Sequence, residues 1–160
     1  MEKKFKINLD TSVINFIFAD DAPEKKEITI DFFDNYLNDY EVFISTIVLD
    51  EINRTSSEDK KDKLLKSISR YKLKIYDDIN RNISDLAKIY VKRKVVPKNK
   101  YEDALHLAFA TYYEFDILLS WNFKHLANIK KQESVNIINQ GLGYRKMLIM
   151  TNPMEVLYEK

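Results

Sequence analysis

Cysteine is absent from the 160-residue chain, which excludes a disulfide scaffold, a thiolate zinc site and a cysteine nucleophile together. Any metal must be held by oxygen or imidazole. The two histidines, His106 and His125, lie far apart, so paired-histidine zinc spacing is missing as well. Glycine (two) and proline (three) are scarce; no repeat, flexible linker or low-complexity tract marks an internal boundary, and an all-β fold with many tight turns is disfavoured. A glycine-rich phosphate loop is lacking too. No run approaches the ~18 apolar residues of a membrane span, and Met1 to Asp10 lacks the apolar core of a secretory signal. No membrane association and a cytoplasmic location are therefore expected. What is present is a globular composition, 45% hydrophobic and 32% charged, in a chain about the size of one domain at ~100–200 residues per domain. Residues 1–160 are expected to form a single domain.

The net charge of +1 says nothing about a nucleic-acid partner, but its distribution does. Residues 1–50 carry 5 Lys/Arg against 11 Asp/Glu, residues 51–100 carry 15 against 7, and residues 101–160 carry 6 against 7. A basic middle third between acidic flanks can attract phosphate beside a carboxylate cluster; a solvated lysine-rich helix explains the same numbers.

Strand and helix signals alternate. Lys6 to Leu9 reads as a strand, followed by the N-cap-rich Asp10-Thr11-Ser12 and the apolar Val13 to Phe18. Ile28 to Leu37 has helical spacing, Val42 to Ser45 is strand-like, and a helix opens at Ser45 or Thr46. A lysine-rich helix spans about Glu58 to Arg70, Leu73 to Tyr76 fits a strand or an extended connector, and Ile79 to Tyr90 starts a helix that ends at Val95-Val96-Pro97. Tyr101 to Tyr113 is the clearest helix, Ile117 to Ser120 a buried strand, and Val135 to Ile138 a further strand. This order predicts an α/β three-layer sandwich on a mostly parallel central sheet of about four to five strands. Ligands in such sheets bind at the carboxyl ends of strands near a topological switch point, so residues just after strands are the ones to examine.

Asp10 follows the first strand and Asn122 the apolar strand at 117–120; if those strands are neighbours, both side chains meet in one cleft. N-capping accounts for Asp10 equally well. Glu51 borders the apolar face of the helix after the second strand, whereas Asp50 points to solvent. Asp103, in the first turn of the strongest helix, suits the helix dipole, yet it shares that helix's inward face with Leu107 and Ala110. An inward carboxylate near others calls for a cation.

Four segments together resemble the signature segments of PIN-domain nucleases, in the same order and over nearly the whole chain: Leu9-Asp10-Thr11-Ser12-Val13-Ile14; Ser45 to Ile52 with Glu51; Asp103-Ala104-Leu105-His106-Leu107-Ala108; and Ile117-Leu118-Leu119-Ser120-Trp121-Asn122-Phe123. The short chain looks most like VapC-type toxins of bacterial toxin–antitoxin pairs or similar stand-alone PIN proteins. The resemblance implies a PIN-like fold and a metal-dependent endoribonuclease. In it Asp10, Glu51 and Asp103 bind Mg²⁺ or Mn²⁺, Thr11, Ser12 and Ser120 support the site, and RNA and an antitoxin protein are the partners. Hard divalent ions favour oxygen ligands, and a pair of them roughly 3.5–4 Å apart can serve the attacking and leaving oxygens of a phosphodiester. Where many PIN nucleases carry an acid two residues after a Ser/Thr, this chain has Asn122, which brings an oxygen but no charge. That departure weakens a second metal site and supports an alternative, a catalytically impaired PIN-fold protein that binds nucleic acid or a partner.

Arg54, Lys98, Lys100 and Lys124 flank the acidic segments and are the candidate phosphate contacts. His106 fits either a structural helix histidine or a phosphate contact, and His125 a local cap. Asp116, ahead of its strand, belongs at the opposite end of the sheet. Position 12 lacks the second Asp of an aspartyl-phosphate phosphatase. PIN-like toxins commonly pair as homodimers, and Tyr36, Tyr40, Phe43 and Tyr71 are the aromatic candidates for an exposed patch; the other aromatics fall mostly on core stripes.

Overall fold

The computed structural model describes residues 3–77 and 79–158. Five strands, Lys6–Leu9 (β1), Glu41–Ser45 (β2), Lys74–Tyr76 (β3), Ile117–Leu119 (β4) and Ile149–Thr151 (β5), form one sheet in the order β3-β2-β1-β4-β5 with every neighbouring pair parallel. Because side chains alternate along a strand, Ile7 and Leu9 enter one face while Leu118 enters the other. The first face packs on Thr11–Asn15 (α1), Pro23–Asp31 (α2) with the wider turn Phe32–Tyr36 that continues it, Thr46–Asn53 (α3) and Glu58–Arg70 (α4). The second packs on Arg81–Lys92 (α5), Tyr101–Tyr112 (α6) and Ile129–Gly141 (α7). Helices thus cover both faces of a parallel sheet, as its apolar central strands require: Ile7, Leu9, Leu118 and Leu119 have no exposed surface. Among the described residues no helix is long and apolar enough to cross a membrane.

The structure corrects several boundaries. Val135 to Ile138 is not a strand but the interior of α7, capped by Asn128, whose side chain accepts the Lys131 N–H at 3.1 Å. Val135 and Ile138, one turn apart, are buried while Ile137 is 63% exposed; four residues of this kind suit either period, and helical contacts decide. The fifth strand is β5, only three residues long. Side chains of α7 hold the chain leading into it: Asn136 both accepts the Leu148 N–H and donates to the Leu148 carbonyl, each at 2.9 Å, and Gln132 accepts the Met150 N–H at 2.8 Å. These bonds satisfy backbone groups that an edge strand otherwise leaves open. The helix expected over Ile28 to Leu37 begins earlier, with Pro23 in its first turn. α5 stops at Lys92, before Pro97: Lys94 takes a left-handed conformation (φ 61°) and Val95 N–H returns to the Tyr90 carbonyl at 3.0 Å.

The lysines of α4 lie on its solvent side, opposite the buried Leu64, Ser67 and Ile68. Of the aromatics expected at an exposed patch, Tyr36 is buried, whereas Tyr40, Phe43 and Tyr71 are half-buried and each packs on a neighbouring ring. Tyr36 is 8% exposed and lies against Tyr158, Tyr40 lies against Phe32, Phe43 against Tyr76 and Phe115, and Tyr71 stacks on Phe33.

Candidate active site

The chain adds β2 and then β3 on one side of β1, then returns to place β4 on the other. Strand order therefore reverses between β1 and β4, and the carboxyl ends of those two strands bound the crevice where open α/β sheets bind ligands. Asp10 leaves β1 at that edge, its N–H donating to the Leu119 carbonyl at 3.2 Å. Asn122 follows β4, the start of α6 brings Asp103, and α3 brings Glu51.

Asp10 is both a helix cap and a member of this cluster. Its Oδ1 accepts the Val13 N–H at 3.4 Å and the Ser12 hydroxyl at 2.6 Å, and its Oδ2 accepts the Ser120 hydroxyl at 2.6 Å. The same hydroxyls receive backbone donors, Ser12 from Trp121 and Ser120 from Asn122, both at 2.9 Å. Asp10 is thereby tied to the turn after β4. Burial raises its pKa despite the opposing pull of His106, the two serines and the Val13 N–H.

Asp103 and His106 project from successive turns of α6. The Asp103 Oδ2 accepts from the Asn122 amide at 3.2 Å, while the Asn122 Oδ1 accepts the His125 N–H at 3.0 Å and holds the turn. Burial pushes the Asp103 carboxyl up to about 6; His106 and Lys100 oppose this, and the carboxylates of Asp10 and Glu51 add to it. Glu51 differs. Burial alone would raise its pKa, but the net shift is downward, because the His106 ring lies against it: Nε2 donates to Oε1 at 2.8 Å. His106 is itself 1% exposed; burial favours its neutral ring, and the three carboxylates outweigh that and raise its pKa.

The fold therefore brings Asp10, Glu51, Asp103, Asn122, Ser12 and Ser120 together. Thr11 is buried beside Glu51, helping to lower its pKa, although no partner lies at hydrogen-bond distance from its hydroxyl among the described residues. Arg54 is close enough to stabilise the Glu51 carboxylate, and its guanidinium pairs with Glu102 at 3.1 Å. Lys100 is felt by Asp103, and Lys124 by His125; Lys98 is an exposed residue of the short turn before α6. Asp50 is exposed. Asp116 lies at the other end of the sheet, accepting the Lys6 N–H at 2.8 Å and pairing with Lys146 at 2.6 Å. The residue whose role the sequence leaves open is His106, which is buried and bonds to Glu51. Its place three positions after Asp103, on the same helix face, is the signal that could have found it. An open hollow of about 600 Å³ along α2, lined by Glu24, Glu27, Asp31 and Asp34 among others, contains none of these residues.

The donors suit a hard divalent cation in kind: carboxylate oxygens, two of them on groups whose charge the site resists until something neutralises it. Among the described residues, however, no three acidic or histidine side chains already form a metal cage, and one Glu51 oxygen is taken by His106.

Residues 7–129 match the family model of the PIN domain. No curated protein matches the chain. Among solved structures, a chain of VapBC2 from Rickettsia felis, determined bound to a DNA fragment from the promoter, has a TM-score of 0.52 and 20% sequence identity, covering 91% of this chain and 97% of that one. That likeness is one of fold.

Proposed function

Since the chain belongs to the PIN domain family, whose members are typically metal-dependent nucleases, we propose that it is an Mg²⁺- or Mn²⁺-dependent endoribonuclease, the toxin of a toxin–antitoxin pair. The observation that carries this is the convergence of Asp10, Glu51 and Asp103 on the β1/β4 crevice, with Asp10 and Asp103 raised in pKa by burial. Such groups gain from a cation and are otherwise a cost to the fold. Asp10, Glu51 and Asp103 would hold the ion. When bound, it supplies Lewis-acid activation of water and neutralises charge on the phosphodiester.

The rest of the chemistry belongs to the chain's own groups. Ser12 and Ser120 orient the two Asp10 oxygens, and Thr11 lies beside Glu51. Asn122 orients Asp103 and keeps the turn in place. Arg54, Lys98, Lys100 and Lys124 contact backbone phosphates around the crevice, and hydrolysis leaves a 5′-phosphate and a 3′-hydroxyl. An antitoxin protein, a homodimeric assembly and the cytoplasm complete the assignment, with residues 1–160 acting as one domain. RNA cleavage that depends on Mn²⁺ and disappears in Asp10→Asn is the expected result; wild-type protein that cleaves no RNA at any metal concentration overturns it.

Asn122 favours one other function. Its amide is a neutral donor to Asp103 at 3.2 Å where an acid would add charge, which suits a protein that binds nucleic acid or a partner without turning it over. Mn²⁺-dependent cleavage separates the two.

A further inference from the structure

Asn122 stands in sequence between two aromatic residues, Trp121 and Phe123. Asn122 turns its amide to Asp103, while the rings of Trp121 and Phe123 meet edge to face at 5.9 Å. Trp121 is firmly mounted. Its indole N–H donates to the Thr29 hydroxyl at 2.8 Å, its ring packs on Phe16 at 5.7 Å, and its backbone N–H donates to Ser12, the residue that orients Asp10. Trp121 is 4% exposed, but Phe123 is 43% exposed. The row of rings thus runs from the core to the surface and ends one residue from the acid cluster.

A cation sits among these rings. Lys25 Nζ lies 4.9 Å from the Phe123 centroid and 5.7 Å from those of Trp121 and Phe16. No carboxylate forms an ion pair with it among the described residues, although it comes from the most acidic third of the chain. Isolated exposed rings are ordinary, and lysine stems often lie along apolar surface. Neither fact accounts for a surface ring braced by a buried tryptophan, joined to a cation without an acidic partner, and carried one residue after the Asn122 that bonds Asp103.

We propose that Phe123 and Lys25 form a single-nucleotide platform at the lip of the crevice: an unpaired base stacks on the exposed Phe123 ring, and its phosphate meets the Lys25 ammonium. The ligand class is single-stranded nucleic acid, an unpaired segment or loop of RNA. A duplex keeps its bases inside its own stack and cannot present one. The platform rests on the nuclease assignment for its purpose but not for its detection, because stacking can be measured without turnover.

The test uses wild-type protein in EDTA, where metal-dependent cleavage is silent, with a fluorescently labelled 12-nucleotide oligouridine and a duplex of mixed sequence. Phe123→Ala should weaken single-strand binding about tenfold, in keeping with the usual worth of one stacked base, and leave duplex binding unchanged. Phe123→Tyr should restore it. Lys25→Gln should weaken binding and lower the slope of log affinity against log salt by about one. Trp121 is the sole tryptophan, so its emission should change on oligouridine binding in wild type and not in Phe123→Ala. A circular dichroism melt identifies a variant that has not folded, and Phe123→Tyr and Lys25→Gln then carry the test. Unchanged oligouridine affinity in folded Phe123→Ala overturns the platform, as does equal loss on the duplex, loss of a protein partner alone, or a wild type that binds no oligouridine. Cleavage with Mn²⁺ and an unaltered KM in Phe123→Ala would leave the nuclease standing and remove the platform; stacking without cleavage would do the reverse.

Discussion

His106 donates from Nε2 to Oε1 of Glu51 at 2.8 Å across 55 positions of sequence, joining α6 to α3 through the acid cluster. The bond fixes one oxygen of Glu51 and leaves the other for the crevice. His106→Gln keeps a donor and His106→Leu does not, so Mn²⁺ affinity measured by calorimetry should fall about tenfold in His106→Leu and less in His106→Gln. Both should also unfold at lower urea. Glu51 contributes stability above its ordinary 4.5, lost as pH falls through its lowered pKa; His106 contributes below its ordinary 6.5, lost as pH rises through its raised pKa. The penalty of His106→Gln should therefore be largest near pH 5.5 and smaller at pH 9 or above. A flat penalty across that range would show that the pair is not ionic.

Asp103 should make the metal-free protein sensitive to pH in the opposite sense from an ordinary salt-bridged acid. Its pKa rises from 3.8 to about 6 on folding, so its stabilising share is complete below about 4 and is lost as pH climbs through about 6. At pH 8 without metal, Asp103→Asn should be more stable than wild type by about 1 kcal/mol, a gain that solvent at the partly exposed carboxylate keeps small. At pH 4 the gain should vanish. Added Mn²⁺ should raise the Tm of wild type more than that of the variant. Thermal melts at two pH values, with and without metal, decide it.

Asn122→Asp retains an acceptor for the His125 N–H but replaces the amide donor with a charge 3.2 Å from Asp103. Metal-free, the variant should melt lower and push the Asp103 pKa higher still. With Mn²⁺ the loss should be recovered and binding should tighten, since a fourth carboxylate adds charge to the site. Activity at limiting Mg²⁺ rises if two ions are used and changes little if one suffices. A variant no less stable than wild type without metal would contradict the repulsion.

Tyr90 supplies a control remote from the acids. Its hydroxyl donates to the Asn139 Oδ1 and lies 3.1 Å from the Thr111 hydroxyl, which in turn accepts from the Asn139 amide at 3.0 Å. This closed triangle joins α5, α6 and α7. Tyr90→Phe should cost about 1–3 kcal/mol by leaving buried partners unsatisfied, while Mn²⁺ affinity stays the same. Chemical denaturation and calorimetry on one preparation give both numbers.

The acids were legible because each carries a local signal: Asp10 stands where a strand ends and a helix begins, and Asp103 shares an inward helix face. The segment Val135 to Ile138, a helix in the structure, reads as a strand for a local reason too. Three β-branched residues among four fit both periods, and only the pairing of Asn136 with the backbone of Leu148 shows which way the segment packs. β5 was missed because three residues carry too little pattern. Of the expected surface aromatics Tyr36 alone is buried, because burial depends on what covers a residue, and Tyr158, 122 positions later, lies against it.

By itself the sequence determined the alternation of strands and helices, the absence of thiol chemistry, and the candidate acids at strand and helix ends. These follow from hydrophobic period, capping chemistry and residue type, all properties of neighbours along the chain. Only the tertiary structure decided that Ser120 holds Asp10 from 110 positions away, that Glu51 is lowered in pKa while Asp10 and Asp103 are raised, and that Phe123 is exposed while its neighbour Trp121 is buried. Those facts depend on desolvation and on contacts across the sheet, and both arise only when β4 is laid beside β1 and the two helix layers close over them.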